Sequence, residues 1–147
     1  MHENYVNKKA YFDYEIIETC EAGLELLGFE VKAIRSGKIS LAGSHVVIRG
    51  GEAYLLNADI PPYQPGNTPT EYDSKRTRKL LLKKSEIAEL LGKTEKTGLT
   101  LVPLKLYNKH NRLKLEIGLV RHKKKHDKRA SLKKKDIERE VGQRLKG

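Results

Sequence analysis

Two runs, Val46-Val47-Ile48-Arg49 and Glu52-Ala53-Tyr54-Leu55-Leu56, stand on either side of Gly50-Gly51. β-prone residues about a two-glycine step predict a hairpin, because both turn residues can take the positive φ of a type I′ turn. Residues 99–107 and 112–120 predict a second hairpin through Asn108-Lys109-His110-Asn111. In its later strand Leu113, Leu115, Ile117 and Leu119 alternate with Lys114, Glu116, Gly118 and Val120. Pro103 cannot donate a ladder hydrogen bond, so the earlier strand is expected at an edge or bulged there.

The remaining periodicities are weaker. Phe12, Tyr14 and Ile16 alternate with Asp13 and Glu15, which predicts a strand over residues 11–17. Ile17, Cys20, Leu24 and Leu27 step by three and four, which predicts a short helix ending at Gly28. Residues 29–35 read as another strand, stopped by Gly37, with 38–44 a connector. Residues 57–74 hold four of the five prolines and predict a long, proline-stiffened loop. A basic cluster at 75–79 runs into Leu80-Leu81-Leu82 and two lysines. Ser85 is placed to cap a helix over 86–91, with Gly92 past its end.

Six or seven hairpin-linked strands must manage their edges, most simply by closing. The predicted fold is therefore mainly β: a small closed or partly closed barrel of the oligonucleotide-binding type, with two or three short flanking helices. Spacing alone does not separate this from other small barrels. The barrel is assigned residues 1–120, and 121–147 form a basic C-terminal tail.

Charge is concentrated in that tail. From Arg121 onward there are 12 Lys/Arg against 4 Asp/Glu, or +8 of the chain's +11. Such asymmetry points to a polyanionic partner or to a solvated tail. Ile137, Val141 and Leu145 lie four apart, so the tail is expected to be disordered when free and helical when bound. No apolar run is long enough for a membrane span, and Met1-His2-Glu3-Asn4-Tyr5 lacks a secretion-signal pattern. The single Cys20 suits a reducing compartment. The expectation is a cytoplasmic protein with no membrane association.

No catalytic constellation stands out. Gly92-Lys93-Thr94 resembles the end of a phosphate-binding loop, but the glycine required five residues earlier is Ile87. His122 and His126 lie four apart with only Asp127 near, a poor metal set. The expectation is no enzyme, no metal and no cofactor. Lysines and arginines for phosphate, with Tyr11, Phe12, Tyr14, Tyr54 and Tyr107 as stacking surfaces, favour RNA.

Several stretches carry a family resemblance. They are Asn7-Lys8-Lys9-Ala10, Glu21-Ala22-Gly23-Leu24, residues 28–38, Arg76-Thr77-Arg78-Lys79-Leu80-Leu81-Leu82, Leu101-Val102-Pro103-Leu104 and His126-Asp127-Lys128-Arg129. In this order they resemble the motifs of the bacterial SsrA-binding protein family, SmpB. The resemblance implies an RNA-binding adaptor of trans-translation, not an enzyme. It implies binding to the tRNA-like domain of transfer-messenger RNA and delivery of that RNA to stalled ribosomes. It places RNA contacts at Glu21 and along Lys75, Arg76, Thr77, Arg78, Lys79, Leu81 and Lys83. It places His126, Asp127, Lys128 and Arg129 in the ribosomal decoding region, with the tail continuing along the empty message channel.

The implied partners are transfer-messenger RNA, the stalled ribosome with its ribosomal RNA and, through the shared RNA, elongation factor Tu. The protein itself is expected to be a monomer. Lys83 stands where the family often has Asn or His, and the tail past Arg129 matches only in style. The alternatives are a barrel protein held permanently on ribosomal RNA, or an RNA-processing enzyme.

Overall fold

The computed structural model describes residues 4–95 and 98–124. The elements are β1 (Asn4–Val6), α1 (Lys8–Asp13), β2 (Tyr14–Leu24), α2 (Gly28–Arg35), β3 (His45–Arg49) and β4 (Glu52–Leu56). They continue as β5 (Arg78–Leu81), α3 (Lys84–Thr94), β6 (Leu99–Lys109) and β7 (Arg112–His122), with a 3-10 turn at Pro65–Asn67. The strands run antiparallel in the order β1-β6-β3-β4-β5-β2-β7, and β6 also pairs with β7. That pairing bends the sheet into a ring. Its weakest seam is β3–β6, where a single pair, Val46 and Leu101, meets. This is the partly closed barrel with flanking helices that the hairpin pattern predicts.

Both predicted hairpins form. Gly50 and Gly51 have φ of 60° and 76°, as their turn requires. The second turn is tighter than expected: strands extend to Lys109 and from Arg112, leaving His110 and Asn111 at φ 52° and 63°. Pro103 sits at a register shift in β6, as its missing donor demands.

Residues 11–35 differ from expectation. The strand over 11–17 is interrupted, since α1 occupies 8–13 and extended backbone begins only at Tyr14. Asn7 starts that helix. Its Oδ1 accepts from the Ala10 N–H at 3.3 Å, and its Nδ2 donates to the Pro103 carbonyl at 2.8 Å. The helix predicted from Ile17 to Leu27 is instead β2. A β-bulge between Ile16 and Glu18 breaks the period of two there. Ile17 and Leu27, read as a buried stripe, are 40% and 43% exposed.

The strand over 29–35 is α2. Its buried residues Glu30, Ala33 and Ile34 follow helical spacing, and Gly28 opens the helix instead of closing the previous one. Helix α3 also starts earlier and ends later than predicted. Glu86 accepts from the Lys83 N–H at 2.9 Å, so Lys83 takes the cap position, and Gly92 lies inside the helix.

The bulges in β2 and β6 create two cores. Inside the ring, Leu55, Leu80, Leu106, Leu115 and Ile117 pack with Ala22 and with Ile34 of α2. Outside it, beneath α1, Ala10, Val102, Leu104 and Val120 form a satellite core with Tyr14 and Ile16. Neighbouring residues such as Leu119 and Val120 therefore bury against different cores, which is why alternation fades there. The loop over 57–74 is anchored by Ala58 and Ile60, both almost fully buried, and by the Ser40–Asp59 bridge.

Candidate nucleic-acid interface

Period two divides the Arg76–Leu82 motif between two environments. Thr77, Lys79 and Leu81 point outward, whereas Arg78 and Leu80 point inward and are fully buried. Arg76 also turns inward. Both guanidiniums close on Glu30 of α2. Arg78 donates from Nε at 2.8 Å and from Nη2 at 2.6 Å to Oε2. Arg76 donates from Nη2 at 2.5 Å to Oε1 and from Nε at 3.1 Å to Oε2.

The remaining donors of Arg78 reach the carbonyls of Ala58, Ser74 and Arg76, at 2.8, 2.9 and 3.1 Å. Tyr72 adds its hydroxyl 2.9 Å from Glu30 Oε2 and 2.7 Å from the Ile60 carbonyl. Burial opposes the charge on Glu30. Hydrogen bonds from Arg76, the Leu27 N–H and Arg78 outweigh it and hold the carboxyl below its usual range. Burial and that carboxylate push Tyr72 up to about 12. This network pins the start of β5 and the end of the 57–74 loop to α2.

The outward residues form one face with part of β2. Gly23 pairs with Leu81 on one side and Lys114 on the other. Glu21, two residues earlier on the same side of the strand, therefore shares a surface with Leu81, which is 52% exposed. A Cβ on Gly23 would lie 3.3 Å from the Leu81 Cβ, so the glycine lets Leu81 lie flat across β2. Next along the row, Lys79 pairs with Tyr54 and lies 3.7 Å from Glu52. Thr77 borders a shallow depression with Val47, Arg49, Tyr54 and Leu56. Lys75 and Lys83 are exposed at either end of the segment.

Glu21 is held at its tip. Its Oε2 accepts from the Tyr107 hydroxyl, and the Lys109 ammonium lies 3.4 Å from both carboxylate oxygens. The Tyr107 hydrogen bond is the main cause that lowers the Glu21 pKa; slight burial opposes it and Lys109 assists. Burial and the same carboxylate push the Tyr107 phenol up. Glu21 also faces Glu116 across the β2–β7 ladder, an unfavourable like-charge pair. Lys105, 3.2 Å from Glu116, offsets it.

The structure thus brings Glu21, Thr77, Lys79 and Leu81 together, with Lys75 and Lys83 at the margins, and withdraws Arg76 and Arg78. Tyr107, expected as a stacking surface, instead bonds Glu21 through its hydroxyl, and Lys109 has no sequence signal of its own; their place on β6, one strand beyond β7, joins them to Glu21. Among the stacking candidates, Tyr14 packs against His122 at a 4.6 Å ring separation. His126, Asp127, Lys128, Arg129 and the expected tail helix lie outside the described residues. Among the described residues no group of three or more His, Cys, Asp or Glu could hold a metal. No helix there is long and apolar enough to cross a membrane.

Comparison with known proteins adds a sequence-wide finding. A family model described as "SmpB protein" matches residues 4–147. An SsrA-binding protein of Thermosynechococcus vestitus is 52% identical over 140 residues, covering 95% of this chain and 92% of that protein. One from Enterococcus faecalis is 51% identical, covering 95% and 90%. Among solved structures, a chain from "tmRNA-SmpB: a journey to the center of the bacterial ribosome" superposes with a TM-score of 0.70 at 47% identity. It covers 84% of this chain and 86% of that one.

Proposed function

The chain belongs to the SmpB family, and from that premise we propose that it is the RNA-binding adaptor of trans-translation. It binds the tRNA-like domain of transfer-messenger RNA and brings that RNA to stalled ribosomes. It is an adaptor and not an enzyme. The observation that carries the reading is the single outer face made by β2, β5 and β6, where the Glu21 carboxylate stands among lysines and an exposed leucine.

Division of labour on that face follows from chemistry. Lys75, Lys79, Lys83 and Lys109 supply phosphate contacts, whose strength falls with salt. Glu21 is repelled by phosphate, yet it can accept from base amino groups or ribose hydroxyls, so it contributes selection. Leu81 offers apolar contact to a base or sugar. Arg76 and Arg78 act from behind, by fixing the backbone that displays Thr77, Lys79 and Leu81. Lys83 brings a cation to the cap of α3.

The barrel, residues 1–120, chooses the RNA. The tail, expected from residue 121 but beginning past the end of β7 at His122, carries His126, Asp127, Lys128 and Arg129 and reads the decoding region and empty message channel. The protein works in the cytoplasm as a monomer and meets elongation factor Tu through the shared RNA.

Sequencing the RNA that copurifies with the full chain tests the reading. One small stable RNA, displaced when Glu21 becomes Gln, is the expected result. Ribosomal RNA alone would instead indicate a permanent ribosomal component.

A further inference from the structure

Glu21 and Tyr107 lie on strands separated by β7. Two strand spacings amount to about 9.5 Å. A glutamate and a tyrosine reaching toward each other can span that gap; shorter pairs cannot. The bond is made although β7 places Glu116 beside Glu21. Lys105 sits 5.6 Å above the Tyr107 ring centre and also pairs with Glu116. The Tyr107 ring is therefore fixed by a cation on its face while its hydroxyl is committed to Glu21.

A carboxylate offers about four lone-pair positions. Tyr107 and Lys109 approach only part of them. The oxygens remain able to accept from an incoming group, now with the side chain held in one orientation. An unrestrained surface glutamate would lose rotamer freedom on binding; one already fixed has less to lose.

Resting on the reading that Glu21 faces RNA, we propose that Tyr107 is a positioning residue. Its hydroxyl, assisted by Lys109, presents the Glu21 carboxylate as a pre-oriented acceptor for a donor group of the RNA, a base amino group or a ribose hydroxyl. Lys109 then has a second role, since its ammonium stands where a neighbouring phosphate can share it.

The test is a double-mutant cycle in the full chain, with the tRNA-like domain transcript as probe. Tyr107→Phe keeps the ring and the Lys105 contact and removes only the hydroxyl. It is expected to weaken binding roughly fivefold, as the loss of a hydrogen bond to a charged group allows. The salt dependence should not change. Glu21→Gln should weaken binding at least as much, and the double variant should be no weaker than Glu21→Gln alone.

Native affinity in Tyr107→Phe, additive losses, or tighter binding would overturn the proposal; the last would mean that Tyr107 masks the carboxylate. If Glu21→Gln itself has no effect, the assignment of Glu21 to RNA fails, and with it this proposal. An acid titration of affinity adds a readout that a packing role would not move. Glu21 is faced by Tyr107, Lys105 and Lys109 from β6 and by Lys114 and Glu116 from β7. Without the hydroxyl it gains a proton at higher pH, so the affinity of the variant should fall earlier on acidification. Coincident acid limbs would overturn the proposal.

Discussion

Glu30 shows how one residue can redirect a motif. A run reading Arg-Thr-Arg-Lys invites the inference that every cation meets RNA. The structure instead places a buried carboxylate behind both arginines. Removing one member of such a cluster leaves uncompensated charge, so Glu30→Ala should cost about 3–5 kcal/mol in urea unfolding. The pH dependence follows in sign. The folded-state pKa is depressed, so this stabilisation is present above the ordinary carboxylate range near pH 4. It is lost as pH falls through the lower folded value. The acid transition of the native protein should therefore be shallower in Glu30→Gln, as followed by circular dichroism. Salt dependence separates the two kinds of cation. Lys79→Ala or Lys83→Ala should each reduce the slope of log K against log salt by roughly one. Arg78→Ala should leave the slope unchanged while lowering the melting temperature. The buried role was legible only in the alternation of residues 76–82, because charge count carries no direction.

At the scale of elements, the readable parts were those with one unbroken period and an explicit turn. The β3–β4 hairpin satisfies both conditions; β6–β7 has the turn and a period broken at Pro103, which marked its own bulge. Residues 17–35 differ because the bulge in β2 inserts Ile17 and because Leu24, Leu26 and Leu27 continue an apolar pattern past the strand end. The Asn7 cap of α1 was visible as a residue type, but its buried bond to the Pro103 carbonyl is a long-range contact that no local pattern announces. The satellite core beneath α1 carries its own test. A Cβ on Gly118 would lie 2.8 Å from Leu104 Cδ1 and 2.9 Å from its Cγ. Leu104 is fully buried in this core, so its side chain would have to shift to admit the added methyl. Gly118→Ala should therefore destabilise the barrel by about 1–3 kcal/mol, measured by thermal or urea unfolding.

For the whole molecule, the closed architecture was foreseeable from strand number and edge management, whereas strand order was not. Which strands meet is decided by pairings between distant residues, above all β2 with β5 and β7. The same pairings settle where a dissection should be made. β7 continues to His122, which packs on Tyr14, and the Lys123 N–H donates to the Asp13 carbonyl at 3.0 Å. A chain ended after Lys124 should keep the barrel's melting behaviour and most of its specific RNA affinity. It should lose peptide tagging on stalled ribosomes in a reconstituted translation assay. Loss of nearly all specific binding in that truncation would overturn the proposed division between barrel and tail.

The long β2–β7 ladder has a further consequence during synthesis. β2 leaves the ribosome early, but its nine paired partners in β7 are made more than ninety residues later. Until they emerge, Glu21 has neither its neighbouring strand nor, beyond that strand, a fixed Tyr107. The proposed recognition face therefore matures only once β7 has been made. A nascent copy arrested before β7 would lack the RNA specificity of the finished protein, so an interrupted message for this factor would not yield a competing fragment.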